Sequence, residues 1–192
     1  MLLVFMDIKK ELAEQKALLL VLPFETYNEI VLAHAATLSA KNTVCYVSLN
    51  KTFASLKEMF ERSGANTKNI IVIDGISKTV GTASAAKIPG CYFISSPGAL
   101  AELSAVISEF FDNGFDYIVI DSLTSALAYQ GKAPVSAFVS RLSKQAQNCS
   151  TRVLFYSVSE KQEEQMDEIG THANRVVHVD SGGEKRFILQ KA

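Results

Sequence analysis

Two aliphatic runs in this chain end in an aspartate: Ile70-Ile71-Val72-Ile73-Asp74 and Tyr117-Ile118-Val119-Ile120-Asp121-Ser122. A carboxylate at the carboxyl end of a buried strand is rigidly placed, which suits it to hold Mg²⁺ or its water shell. The second run has the form of a Walker B strand. The plain alternative is that the aspartate only caps the following turn, and finding two matches shows how little the pattern specifies alone.

A Walker B aspartate works with a phosphate loop of the form G-x-x-x-x-G-K-[ST]. The nearest match, Gly75-Ile76-Ser77-Lys78-Thr79, lacks the glycine before its lysine. No periodic helix follows it, so no array of N–H donors at a helix N-terminus awaits phosphate. The segment 76–90 reads instead as a small, polar, exposed loop. Asn50-Lys51 follows another strand, at a place where a carboxylate could polarise water; Asn50 has no basic function and reads as a helix N-cap. Ser157 and Ser159 either meet a ligand at the carboxyl edge of a sheet or face solvent. His34 reads as a packing residue, Glu160–Glu168 as a solvated face, and no Ser/His/Asp nucleophile arrangement stands out.

The elements that would position these residues alternate between strand and helix, which predicts a parallel sheet covered by helices. Strands are expected at Ala17–Leu22, Thr43–Leu49, Asn69–Gly75, 91–95, Phe115–Ser122, 152–159, 175–180 and 186–190. Helices are expected over 26–40, over 52–63 with Gly64 as its stop, from Pro97 to near Asn113-Gly114 with a serine cap at 95 or 96, and over 134–148. Residues 160–170 are a loop or short helix, and Ser181–Glu184 reads as a hairpin turn. The expected fold is therefore α/β, a three-layer sandwich with a mainly parallel central sheet and a C-terminal β-hairpin. One domain spans 1–192, with 1–16 an N-terminal extension packed on or preceding the core.

A chain of 192 residues, 48% hydrophobic and 20% charged, has the composition of one compact domain. Its net charge of −1 gives no global attraction to nucleic acid or anionic membrane, and Lys78, Lys87, Lys132 and Lys144 are scattered. Cys45, Cys91 and Cys149 are far apart, which points to buried reduced thiols and a cytoplasmic setting. No metal or cofactor is called for. Neither the opening MLLVFM nor Ala17–Leu22 approaches the ~20 apolar residues of a membrane span.

The order of parts resembles the RecA-like core of the KaiC/RadA group of ATPases, especially their short archaeal KaiC-like relatives. Asp121-Ser122 is similar to that group's Walker B ending. Tyr46-Val47-Ser48-Leu49 resembles the strand that carries its catalytic glutamate, and 94–100 and 173–177 resemble further core segments. The resemblance puts the phosphate loop at Pro23-Phe24-Glu25-Thr26-Tyr27-Asn28-Glu29, where there is no glycine and no lysine. Glu25 and Glu29 are expected to repel phosphate, Pro23 removes a backbone donor, and Phe24 and Tyr27 fill space that glycines leave open. Asn50 stands at the glutamate position. The resemblance thus implies a degenerate Walker A and a vestigial nucleotide site of Glu25, Thr26, Asn50, Asp121 and Ser122, with no catalytic residue. The expected role is a catalytically inactive scaffold or regulator that self-associates or binds a protein partner. Two rivals are a small ligand or nucleotide bound at the carboxyl edge of the sheet, and a DNA-repair accessory role.

Overall fold

A computed structural model describes residues 7–82, 87–159, 163–180 and 185–188. Eight strands form one sheet in the order β4-β3-β2-β5-β6-β1-β7-β8. They are β1 (Ala17–Pro23), β2 (Val44–Ser48), β3 (Ile70–Asp74), β4 (Cys91–Phe93), β5 (Tyr117–Asp121), β6 (Arg152–Ser159), β7 (Arg175–Val179) and β8 (Lys185–Ile188). The first seven run parallel, and β8 pairs antiparallel with β7. The architecture is the α/β sandwich expected, with its terminal strand pair; the turn at 181–184 lies outside the described residues.

Parallel strands buried on both faces need apolar side chains at every position, and β1, β2 and β5 are buried throughout. Alternate residues feed two cores. On one face Leu18, Leu20, Tyr46, Val119 and Tyr156 pack under helices α1 (Ile8–Glu14), α2 (Tyr27–Ser39) and α3 (Phe53–Ser63). On the other, Leu19, Val47, Ile120 and Phe155 pack under α4 (Leu100–Asp112), α5 (Leu123–Tyr129), α6 (Lys132–Gln147) and α7 (Glu163–Gly170). Helix α1 belongs to the first core through the fully enclosed Ile8 and Leu12. Gly64 ends α3 in the left-handed conformation at φ 76°, where only a residue without Cβ sits without strain.

Several boundaries differ from expectation. Helix α4 begins at Leu100, three residues after Pro97, and Ala99 precedes it with no side-chain cap. Ser95 instead gives its N–H to Glu102, which reaches back from the first turn of α4. Helix α6 begins at Lys132, so Pro134 lies inside its first turn, where its missing N–H costs nothing. Helix α5 is absent from the sequence reading, because seven residues with only Leu123, Ala126 and Leu127 buried are too short for a periodic signal. The N-cap of α3 is Thr52, whose hydroxyl accepts from the Ser55 N–H, rather than Asn50. Segment 76–90 is not wholly exposed, since Ser77 is buried against Asp74. Of the three thiols, all free, only Cys45 is fully buried.

Candidate functional site

The carboxyl end of β5 presents Asp121 with no solvent exposure. Pairing in register places it beside Ser48 of β2 and Tyr156 of β6. Four donors, from β2, the turn after it and the start of α2, converge on its two oxygens. The Tyr27 hydroxyl donates to Oδ1 at 2.6 Å, and so does the Asn50 side-chain amide at 2.6 Å. The Tyr46 hydroxyl donates to Oδ2 at 2.6 Å, with the Lys51 ammonium at 3.4 Å from the same oxygen. Lys51 also stands 5.7 Å from the centre of the Tyr27 ring, a cation–π distance, and is bonded to Asn50 Oδ1.

Each donor arrives for a local reason. Tyr46 lies on the same face of β2 as Ser48, so it looks into the core that Asp121 enters from β5. Asn50 and Lys51 follow β2 directly, where a turn is pinned by Ser48 Oγ, which donates to the Lys51 carbonyl and accepts its N–H. Tyr27 opens α2 and must cross β6 to reach Asp121, since β6 lies between β1 and β5. It does so by resting edge-on against Tyr156, ring centres 6.2 Å apart, while the Tyr156 hydroxyl bonds His34 Nδ1 at 2.8 Å. Burial first, and then the Asp121 charge, push the Tyr27, Tyr46 and Tyr156 hydroxyls well above the ordinary tyrosine range. All three therefore stay protonated, and Tyr27 and Tyr46 remain donors to the carboxylate.

The other residues singled out from sequence take different places. Asn50 joins Asp121 directly. Thr26 stands ahead of α2 without a capping bond, its hydroxyl oxygen enclosed and without a hydrogen bond among the described residues. Ser122, joined to Asp121 by a cis peptide, caps α5 by accepting from the Ser125 N–H. Glu25 and Glu29 are both exposed and do not enter the corner, where Tyr27 is the side chain turned inward. Phe24 does not fill the corner either: it is 67% exposed. Ser157 is neither ligand-facing nor solvent-facing; it is fully buried and bonded to Thr124 Oγ1 at 3.0 Å.

Asp74, the other strand-end carboxylate, is a structural cap. Its oxygens accept from the N–H groups of Phe53, Ile76 and Ser77 and from the Ser77 hydroxyl, all within 2.8 Å. That set ties the N-terminus of α3 to the end of β3. The sequence reading missed Tyr27 and Tyr46 as partners of Asp121. The signal available to it was a tyrosine in the middle of a short buried strand and another at the first position of a helix.

No protein-family model matches the chain, and no curated protein matches it. Among solved structures it is similar to an uncharacterized protein of Pyrococcus horikoshii, PH0321, crystallised in complex with an unknown peptide. The TM-score is 0.64 at 12% identity, over 95% of this chain and 89% of that one. At that identity the likeness is one of fold. Among the described residues no helix is long and apolar enough to cross a membrane.

Proposed function

We propose that this chain is a RecA-like domain related to the short archaeal KaiC-like proteins, with its nucleotide site closed from within, and that it acts as a scaffold or regulator. The observation that carries this reading is the enclosure of Asp121 by Tyr27, Tyr46, Asn50 and Lys51. A hydrated Mg²⁺ would have to displace several charge-assisted hydrogen bonds to reach either oxygen, each worth about 1.5–3 kcal/mol. A triphosphate would need free N–H groups and space at the start of α2, where Tyr27 is 4% exposed and packed inward. With such a site closed, the surfaces of the fold are what remain to act. A protein of similar fold has been crystallised holding a peptide, which supports a protein segment as the class of ligand.

The test is turnover and binding by the intact chain. No ATP hydrolysis above background is expected, and no thermal stabilisation by Mg-ATP, Mg-ADP or GTP. Hydrolysis that Asp121→Ala abolishes would sink the proposal.

A further inference from the structure

Asp121 carries a negative charge with no solvent exposure, and such a group needs a counter-charge in contact with it. Among the described residues its one ion pair is with Lys51, whose ammonium lies 3.4 Å from Oδ2. The resemblance to the RecA-like ATPases assigns a divalent metal to this carboxylate, and the residues present do not fit one. Tyr27 and Tyr46, both buried, close its oxygens from within the core. Asn50, which is exposed, and Lys51, with 18% of its side chain exposed, form the solvent side. A cation arriving from water meets an ammonium already in place.

The surroundings of that ammonium are those of a bound cation. It pairs with a carboxylate oxygen, donates to Asn50 Oδ1 at 3.2 Å and stands over the Tyr27 ring. Asn50 serves both ions, since its amide N–H donates to Asp121 Oδ1 while its oxygen accepts from Lys51. Asn50 also fixes the charge count. A carboxylate at position 50 would set two negative charges side by side, which a divalent ion balances and a single ammonium does not. With an amide there, one carboxylate and one ammonium sum to zero. The tether is held independently of the lysine side chain, because Ser48 Oγ binds both the N–H and the carbonyl of Lys51.

We infer that the Lys51 ammonium is a tethered replacement for a metal ion, and that its charge keeps cations off Asp121. This rests on the closed-site reading and names what closes the site to metal. A domain balanced in this way needs neither metal nor nucleotide to hold its carboxyl edge in one arrangement. The surfaces it offers a protein partner therefore do not vary with Mg²⁺. Removing the ammonium converts the place into a cation site of Asp121 and Asn50 Oδ1. The ammonium contacts of 3.2 and 3.4 Å exceed the about 2.3–2.6 Å of calcium–oxygen bonds, so Ca²⁺ or a lanthanide fits the space released.

Terbium luminescence on the full chain tests this. The chain has no tryptophan, so tyrosine absorbs the exciting light, and Tyr27 and Tyr46 are both bonded to Asp121. Lys51→Ala is expected to bind Tb³⁺ at least about tenfold more tightly than wild type, because affinity follows the charge count of the ligands. CaCl₂ should displace the Tb³⁺, and adding Asp121→Asn to Lys51→Ala should remove the gain. Lys51→Arg keeps the charge and should behave as wild type. Without added cation, Lys51→Ala should melt at least about 5 °C below wild type, and CaCl₂ should raise it again. The wild-type melting temperature should not move with CaCl₂, MgCl₂ or EDTA. Should Lys51→Ala not be recovered folded, Lys51→Gln carries the same comparison. Equal terbium affinity in wild type and the folded variant overturns the inference, and so does a wild type stabilised by MgCl₂ alone. ATP turnover by the wild type bears only on the closed-site reading, so the two readings fail independently.

Discussion

At Tyr46 a single hydroxyl decides how a buried charge is held. Tyr46→Phe keeps the ring against Phe60, whose centre is 5.0 Å away, and removes only the bond to Asp121. The expected loss is about 1.5–3 kcal/mol of unfolding free energy, the worth of a hydrogen bond to a charged group, read from urea denaturation. The tyrosines also set a pH dependence. Their hydroxyls titrate well above 10 when folded, chiefly through burial, and near 10 when unfolded. Above about pH 10 the unfolded chain releases protons that the folded chain keeps. Stability is therefore present in full below about pH 10 and falls as pH rises past it. Urea midpoints measured on either side of that value should show the fall, and Tyr46→Phe should show a shallower one.

Among the elements, α7 and β7 meet at a point that admits no side chain. A Cβ built on Gly170 would lie 2.5 Å from Val176 Cγ2 and 3.1 Å from Leu19 Cδ2. Both neighbours are core residues fixed by the sheet, so neither yields freely. Gly170→Ala should cost about 1–3 kcal/mol through overpacking, despite the better helix propensity of alanine. A lowered urea midpoint checks this. The adjacent clasp of His178 Nε2 with Asp167, 2.9 Å apart, holds the same two elements together at the surface.

For the whole molecule, the N-terminal helix is part of the fold. Ile8 and Leu12 are fully enclosed, Arg152 donates to the Leu12 carbonyl at 2.6 Å, and Arg175 pairs with Glu11 at 2.9 Å. Removal of residues 1–16 strips two buried aliphatic side chains, about 3–6 kcal/mol at about 1.5–3 kcal/mol each. Against a total of about 5–15 kcal/mol for a typical domain, that is a large share. The truncated chain should melt well below the full one, or be recovered largely aggregated. An unchanged melting temperature would show that α1 contributes nothing to the core.

The alternation of strand and helix, the two-sided burial of the sheet and the strand-end position of Asp121 were legible in the residues. They follow from local pattern: uninterrupted aliphatic runs, apolar residues at helical spacing, and Gly64 where α3 stops. The absence of glycine and lysine after β1 was legible in the same way. What meets Asp121 was not. Its donors come from β2 and the turn after it, and from the helix that follows β1, two strands that are not neighbours in the sheet, since β5 and β6 lie between them. Strand order arises from how whole helices and strands pack, and no local period encodes it. The same limit explains the exchange of roles at the corner. Phe24 and Tyr27 are both aromatic and three residues apart, so composition treats them alike; the turn over 24–26 leaves Phe24 in solvent, and α2 begins with Tyr27 bonded to the buried carboxylate.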